Sequence, residues 1–163
     1  MTDIKTLLRG HWDDVKRIYE EGIATRNATF ETSAPSWEVW DSGHLASGRL
    51  VALDEDIVTG WAALSPVSDR CAYAGVAEVS VYVSKDYRGK KIGSLLLERL
   101  IQESEKAGLW TLQAGIFPEN LESIALHEKN GFVLIGKRQK IGKMDNVWRD
   151  SLILERRSRI VGL

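Results

Sequence analysis

A short basic turn near the middle of the chain has the composition of an anion-binding site. It reads Tyr87-Arg88-Gly89-Lys90-Lys91-Ile92-Gly93 and follows the strand-like run Val76–Val83. When a strand, a glycine-containing turn and a helix follow one another, backbone N–H groups point outward at the positive end of the helix dipole. The glycines let a ligand approach the main chain closely, and the basic side chains add charge at the same point. The turn therefore predicts binding of a small polyanion.

Two common phosphate-binding motifs do not fit this turn. A Walker loop needs Gly-Lys followed by Ser or Thr, with another glycine upstream, and a dinucleotide-binding fold needs three spaced glycines. Neither pattern occurs here, so ATP and NAD are weaker interpretations than other phosphate esters. Taken alone, the segment fits a solvated basic turn with ordinary structural glycines equally well.

Composition limits the remaining classes of function. The 22 basic and 23 acidic residues nearly cancel, whereas a nucleic-acid binder carries a strongly basic domain. No uninterrupted apolar run approaches the ~18 residues of a membrane span, and Met1–Lys5 lacks the start of a secretory signal. We therefore expect a cytoplasmic protein that binds neither nucleic acid nor membrane.

The cysteine and histidine content predicts no metal site. Cys71 is the only cysteine, so no internal disulfide can form. His11, His44 and His127 are scattered and lack the clustered spacing of zinc ligands. The 163 residues are expected to form one domain, residues 1–163, whose core needs neither disulfides nor metal.

Residue periodicity predicts a mixture of strands and helices. Val76–Val83 is a strand rich in β-branched residues that runs directly into the basic turn, and the amphipathic stretch 92–107 is the helix after it. Asp54, Glu55 and Asp56 form an acidic hairpin turn between two strand-like runs. The other expected strands are 4–8, 50–53, 57–65, 110–116, 132–141 and 147–154, and the other expected helices are 12–25, 37–46 and 120–129.

Two motifs in chain order resemble the GCN5-related N-acetyltransferase superfamily. The basic turn after Val79–Val83 resembles the cofactor motif of that superfamily, and Asn120–Phe132 resembles its second cofactor-contacting helix and the strand that follows. The resemblance implies an α/β (α+β) fold, a single acetyltransferase domain whose mixed, mostly antiparallel twisted sheet has about seven strands and is flanked by about four helices. It also implies acetyl-CoA as the co-substrate.

The resemblance assigns the cofactor-binding residues one by one. Main-chain groups of Val81 and Val83, with Tyr82 between them, are implied to hold the thioester and the pantetheine arm, and Asn120 to contact that arm. Lys91 stands where the usual motif has a second glycine, and a lysine is compatible there if its φ is negative, as expected at a helix start. The residues implied to hold the pyrophosphate are Arg88, Gly89, Lys90, Lys91, Ile92, Gly93 and Ser94.

Nearly the whole chain also resembles one branch of the superfamily, the phosphinothricin and methionine sulfoximine N-acetyltransferases. The matching parts are Asn27–Thr32 with Pro35, Arg70–Val83, and Trp148 with Asp150 in a late Trp-x-Asp pattern. This resemblance implies transfer of acetyl to the α-amino group of a small amino-acid analogue. Within it, Arg70 is expected to hold a carboxylate or phosphinate by paired hydrogen bonds, and Phe30 and Tyr73 to shape the pocket.

Amide formation requires a neutral amine, although an amino acid's α-amino group is mostly protonated near neutral pH. Glu78, in the strand that leads to the thioester, is the candidate base and a candidate substrate contact. His127 stands where many relatives have a tyrosine that protonates the departing thiolate, and it is expected either to act as general acid or to bind substrate and relay a proton. No nearby histidine or basic helix terminus activates Cys71, so direct attack is favoured over an acetyl-cysteine intermediate.

Two other functions stay open at this point. A protein or peptide N-acetyltransferase would share the chemistry but have a longer acceptor groove, and a non-catalytic acyl-CoA-binding regulatory module would keep the phosphate turn alone. Glu78, Arg70, Tyr73 and His127 argue against the second function. The branch resemblance also implies a homodimer with sites near its interface, although the aromatic residues fit core packing equally well.

Overall fold

A computed structural model describes all of residues 1–163. Four α-helices flank one sheet of seven strands. The helices are α1 Trp12–Ala24, α2 Trp37–Gly43, α3 Ile92–Lys106 and α4 Leu121–Lys129. The strands are β1 Thr2–Thr6, β2 Leu50–Asp54, β3 Ile57–Pro66, β4 Val76–Val83, β5 Thr111–Ile116, β6 Val133–Met144 and β7 Val147–Arg157. None of the helices is both long and apolar enough to cross a bilayer.

The strands follow the order β1-β2-β3-β4-β5-β7-β6 across the sheet. All neighbouring strands are antiparallel except β4 and β5, which run parallel. A parallel pair needs a crossover connection, and α3 supplies it. The seven-stranded, mostly antiparallel sheet with four helices confirms the fold expected from the sequence resemblance.

Side chains on opposite faces of the central strand β3 pack into two separate apolar cores, because successive strand residues point to opposite faces of a sheet. Leu64 packs in the larger core, which α3 covers with the buried Leu96 and Leu100. Trp61 packs in the smaller core beneath α1 and α2, with its ring 5.8 Å from that of Trp40. Full burial of each such leucine stabilises the fold by about 1.5–3 kcal/mol. Both cores hold β3 rigidly, and β3 in turn supports β4 along seven residue pairs.

A long hairpin of β6 and β7 completes the sheet, with β6 at its edge. Asp145 and Asn146 form the two-residue turn, with φ of 50° and 62°, the left-handed conformation that suits the twist of a hairpin. Both strands continue three residues beyond the expected ends at 141 and 154. The register of β6 shifts at two irregularities, which break the alternation of apolar and polar residues, and β7 ends in charged residues.

Two expected boundaries near the start of the chain are wrong. The first strand is Thr2–Thr6 rather than 4–8, because Leu8 already leads into a turn of 3-10 helix at Arg9–His11. Helix α2 ends at Gly43 rather than at 46, because His44 adopts an extended conformation. The imidazole of His44 then stacks on Trp40, with ring centres 4.2 Å apart.

Candidate active site

The parallel strands β4 and β5 separate partway along their length. Their register runs from Val76 opposite Thr111 to Glu78 opposite Gln113 and ends there, although β4 continues to Val83. Beyond Glu78 the main chain of β4 therefore has no strand partner on the β5 side. The separation opens two connected spaces, a groove of about 560 Å³ and a cavity of about 520 Å³.

We call the first space the basic groove, because the basic turn and the start of α3 line it. The N–H groups in the first turn of α3 have no intrahelical acceptor, and Arg88 and Lys91 of the basic turn line the groove beside them. The second space is called the acidic cavity, because Glu31 and Glu78 line it. The residues common to both linings are Ala28, Val81, Tyr82, Asn120 and Ser123. A ligand in the groove can therefore meet one in the cavity beside β4.

The basic groove collects most residues expected to bind the cofactor. Lys90 and Ser94 lie outside its lining. The Lys90 Nζ is 5.0 Å from the centre of the Tyr87 ring, and the Ser94 Oγ is 3.5 Å from the Asn130 Nδ2. The expected residues that do line the groove are Val81, Tyr82, Val83, Arg88, Gly89, Lys91, Ile92, Gly93 and Asn120.

Lys91 precedes α3 in a left-handed conformation, with φ of 64° and ψ of 17°. The expectation of a negative φ at this position is therefore wrong. The chain enters the helix from a tight turn in which Gly89 also has a positive φ, of 78°, rather than from an extended segment. A left-handed conformation costs a residue with a Cβ about 1–2 kcal/mol, which accounts physically for a glycine in the usual motif.

Asn120 links the two spaces, and the fold occupies most of its hydrogen-bonding groups. Its Oδ1 accepts from the Ser123 N at 3.2 Å and caps α4. Its Nδ2 donates to the Asn27 main-chain oxygen at 3.0 Å. An amide nitrogen has two hydrogens, so one N–H of Asn120 stays free for a ligand.

The carboxylate of Glu78 is held in the wall of the acidic cavity. The Gln113 Nε2 donates to the Glu78 Oε1 at 3.1 Å, which draws the carboxylate over β5. Gly115 lies beneath this carboxylate, and a Cβ there would lie in ordinary contact with it, 3.9 Å from the Glu78 Oε1 and 3.6 Å from the Ser151 Oγ. The geometry therefore presents a carboxylate to any amine that enters between β4 and β5.

His127 reaches the acidic cavity from α4 as a buried side chain. Its Nδ1 lies 2.7 Å from the Ser123 main-chain oxygen, and a carbonyl only accepts, so Nδ1 carries the proton of the neutral ring. Nε2 is then left as a bare acceptor. Burial lowers the pKa of His127, against the opposing effect of the bond to Ser123. The neutral imidazole can therefore take a proton at Nε2, but has none to donate there before it does so.

Tyr82 supplies a hydroxyl where the groove and the cavity meet. Its ring stacks on Trp61 with centres 4.9 Å apart, and a further ring, Tyr19, lies 5.0 Å away. Burial is the main cause that raises the pKa of Tyr82, and the proximity of Tyr19 raises it further. The Tyr82 hydroxyl therefore stays protonated across the pH range in which proteins are stable.

The loop after α1 forms an outer wall, and Arg149 of β7 holds it in place. Phe30 lies on this loop in the cavity lining, with its ring 4.7 Å from that of Phe117. The Arg149 guanidinium donates to the Arg26 main-chain oxygen at 2.6 Å and to the Asn27 Oδ1 at 2.9 Å. It also stacks over Phe117, with its central carbon 4.0 Å from the ring centre. Arg149 therefore holds the wall against the sheet through hydrogen bonds from its guanidinium and through the contact of that group with the Phe117 ring.

Arg70 and Tyr73 lie apart from the other expected substrate residues in the single chain. Both are exposed in the loop between β3 and β4, outside the linings of the groove and the cavity. The Arg70 guanidinium lies 5.8 Å from the centre of the Tyr73 ring. The structure thus brings Phe30, Glu78 and His127 together, and leaves Arg70 and Tyr73 beside neither of the two spaces.

The Trp148 and Asp150 side chains also lie outside both linings. The Lys140 main-chain N–H donates to the Asp150 Oδ1 at 2.7 Å, within the irregular part of β6. The Lys143 ammonium lies 5.7 Å from the centre of the exposed Trp148 ring. These two residues therefore support the hairpin, while Arg149 between them points the other way.

Three further residues of this region were not found from the sequence. His44 and Arg138 line the acidic cavity, and Arg149 holds its wall. The His44 Nδ1 lies 2.6 Å from the Trp40 main-chain oxygen, and burial is the main cause that lowers the pKa of His44. Strand alternation could have identified Arg149, because it must face opposite to Trp148 and Asp150. No comparable pattern marks His44 or Arg138.

The left-handed Lys91 leads to a prediction about stability. We expect Lys91→Gly to be more stable than Lys91→Ala by about 1 kcal/mol, because alanine keeps the unfavourable Cβ. Urea denaturation followed by circular dichroism measures the difference. Lys90 does not have a positive φ, so Lys90→Gly should instead be less stable than Lys90→Ala. Equal stability of the two Lys91 variants would contradict strain at this position.

The buried His127 leads to a prediction about pH. Its folded-state pKa is lowered, so the unfolded chain binds the proton more readily and the stabilising contribution is present above the unfolded pKa of about 6.5. Stability should fall as pH decreases from 7.5 towards 5. In His127→Asn, whose amide can keep the bond to Ser123, the fall should be smaller. An identical fall in both proteins, measured by urea denaturation at each pH, would rule out this contribution.

Comparison with known proteins agrees with the geometry. Residues 9–132 match the family model described as "Acetyltransferase (GNAT) family". YwnH of Bacillus subtilis is 38% identical over 147 residues, which cover 87% of this chain and 90% of that protein. The L-methionine sulfoximine/L-methionine sulfone acetyltransferase of Pseudomonas aeruginosa is 34% identical over 144 residues, 85% of this chain and 84% of that protein.

A solved structure shows the same fold with a ligand. The phosphinothricin acetyltransferase from Sinorhizobium meliloti, in complex with AcCoA, superposes with a TM-score of 0.87. It is 31% identical, and the match covers 96% of this chain and 88% of that one. The matched family model, the relatives and the shared fold lead to one conclusion: the chain belongs to the GNAT family of acetyltransferases.

Proposed function

We propose that this enzyme transfers acetyl from acetyl-CoA to the α-amino group of a small amino-acid analogue such as phosphinothricin or methionine sulfoximine. The observation that carries the proposal is the meeting of the basic groove with the acidic cavity along the unpaired part of β4, with Glu78 in the cavity wall. The named substrates of the relatives in Pseudomonas aeruginosa and Sinorhizobium meliloti support this acceptor class.

The residues of the basic groove fit acetyl-CoA. The open edge of β4 at Val81–Val83 offers main-chain groups to an extended amide-containing arm, and the first turn of α3 offers N–H groups to a pyrophosphate. Arg88 and Lys91 add positive charge beside that turn. When bound, acetyl-CoA supplies a thioester whose C–S bond breaks as the acceptor nitrogen forms a C–N bond. A main-chain N–H near Val81–Val83 would stabilise the charge that develops on the carbonyl oxygen.

Glu78 is proposed to remove the first proton. The acceptor's ammonium must lose a proton before its nitrogen can attack, and the Glu78 carboxylate can accept it within the cavity. Gln113 orients that carboxylate by its 3.1 Å hydrogen bond. A second proton leaves the nitrogen as the amide forms.

His127 is proposed to relay this second proton. Its bare Nε2 accepts the proton from the acceptor nitrogen and then donates it to the departing sulfur, so the ring ends as it began. The lowered pKa of His127 supports this order of events, because a neutral ring is ready to accept first. A simple general acid would instead need to be protonated beforehand.

The size of the acidic cavity favours a compact acceptor over a peptide. The cavity has a volume of about 520 Å³ and lies between the loop after α1 and the β6–β7 hairpin. Phe30 packs against Phe117 in its wall. An open groove for a peptide would need that wall to be displaced. Arg70 and Tyr73 lie outside this cavity, so their expected role in binding substrate stays a prediction for the single chain.

Replacement of Glu78 tests the mechanism. We expect Glu78→Gln to lower kcat by about 10²- to 10⁴-fold, because the amide cannot accept the ammonium proton, while acetyl-CoA affinity is retained. Thiol release with phosphinothricin, methionine sulfone and a peptide amine measures turnover, and calorimetry measures acetyl-CoA binding. Cys71→Ala, at an exposed position outside the cavity, should keep full activity.

Each arm of this experiment has its own meaning. An unchanged kcat in Glu78→Gln would reject Glu78 as the base. Turnover of the peptide amine alone would favour a protein or peptide acetyltransferase. Binding of acetyl-CoA without thiol release for any amine would favour a regulatory module.

We also propose that the enzyme is a homodimer joined through the β6–β7 hairpin. β6 is an edge strand, and long unpaired edges are usually covered or paired. Apolar side chains that are more than half exposed cluster on this hairpin, namely Val133, Leu134, Ile135, Ile141, Val147 and Trp148. Ile141 also lines the acidic cavity, so a second copy on this surface would lie beside the site.

A charged residue on the hairpin tests the dimer. The wild-type chain should sediment as a dimer and Ile135→Glu as a monomer, because a carboxylate cannot be buried in an apolar interface without a partner. Val39→Glu, at a residue of α2 that is 62% exposed, is the matched control and should remain dimeric. A monomeric wild-type protein in analytical ultracentrifugation would contradict the proposal.

A further inference from the structure

The lining of the acidic cavity has more carboxylates than permanently charged cations. Glu31 and Glu78 contribute two carboxylates, whereas Arg138 is the one lysine or arginine in the lining. His44 and His127 also line the cavity, but burial lowers the pKa of each, so both favour the neutral form. No hydrogen bond or ion pair engages the Arg138 guanidinium, unlike that of Arg149. Arg138, itself an exposed residue, is thus the one unpaired permanent cation in the cavity lining.

Strand register puts Arg138 on the cavity side of the sheet. Arg138 of β6 is the register partner of Ser151 on β7, and paired residues share a face. The Ser151 Oγ and the Glu78 Oε1 both lie within 4 Å of the position that a Cβ on Gly115 would take. Neighbouring strands are about 4.8 Å apart, so the Arg138 main chain lies one strand beyond Ser151, whose Oγ shares this space with the Glu78 carboxylate.

We propose that Arg138 binds the α-carboxylate of the acceptor while Glu78 faces its amino group. This inference rests on the proposed function and adds the group that recognises an amino acid as opposed to a simple amine. Phosphinothricin, methionine sulfoximine and methionine sulfone differ in their side chains but share the α-carboxylate. A guanidinium binds that group through two parallel hydrogen bonds.

Neighbouring cations are less suited to this role. Arg70 lies outside the cavity lining, with its guanidinium 5.8 Å from the centre of the Tyr73 ring. Lys137, the residue before Arg138, is also outside the lining, and its Nζ lies 3.8 Å from the Asp150 Oδ2. Lys137 therefore provides a matched control on the same strand.

The test compares methionine sulfone with its α-carboxamide, which keeps the amine and the side chain but has no carboxylate. The wild-type enzyme should prefer the acid in kcat/KM, and Arg138→Gln should reduce that preference by roughly 10- to 100-fold, the value of hydrogen bonds to a charged group. Arg138→Lys should restore part of it. Lys137→Gln should keep the wild-type preference, and acetyl-CoA affinity should be the same in all variants.

Calorimetry of both compounds with the enzyme–CoA complex separates this inference from the proposed function. The wild-type enzyme should bind methionine sulfone more tightly than its α-carboxamide, and Arg138→Gln should bind the two equally. This result supports the role of Arg138 even if neither compound is turned over. A wild-type preference retained in Arg138→Gln, or lost instead in Arg70→Gln, would overturn it. The inference would also be overturned if Arg138→Gln lost only a preference for phosphinothricin over methionine sulfone. Arg138 would then recognise the phosphinate of the phosphinothricin side chain and not the α-carboxylate.

Discussion

The separation of β4 from β5 is the constraint on which the rest of the site depends. Three residue pairs hold the parallel strands together, and beyond Glu78 the β4 main chain has lost its partner while β3 still supports it from the other side. Unpaired backbone in a protein interior is costly unless something else satisfies it. The open edge therefore offers main-chain groups to an extended ligand, and α3 begins beside it, where the proposed function puts the anionic end of acetyl-CoA.

The two cores explain why such an opening is tolerated. α3 and its leucines cover one face of the central strands, and the tryptophan-rich core under α1 and α2 covers the other. The strands near β3 thus have ample apolar burial, and the lost pairing is confined to one end of β4. Around that end the polar contacts of Asn120, Gln113 and Arg149 take over the positioning of the walls.

The donor side was more accessible to sequence reasoning than the acceptor side. The basic turn is continuous in sequence, so its residues remain together in the fold. The main difference from expectation is the positive φ of Lys91, where a negative φ was predicted. The acidic cavity, the proposed acceptor site, is assembled from strands far apart in the chain. Arg138 enters it only because an irregular β6 pairs with β7, and His44 only because α2 ends early. Such long-range placement leaves no local pattern to read.

Asn27 has a consequence for how the two ligands influence each other. Its main-chain oxygen is bound by Asn120, which lines both spaces, and its side chain is bound by Arg149 from the sheet. One short segment therefore lies between the basic groove and the acidic cavity, the proposed sites of donor and acceptor. If the first ligand to bind orders this segment, the second ligand binds without the entropic cost of ordering it. Thermodynamic linkage then requires donor and acceptor to raise each other's affinity by the same factor.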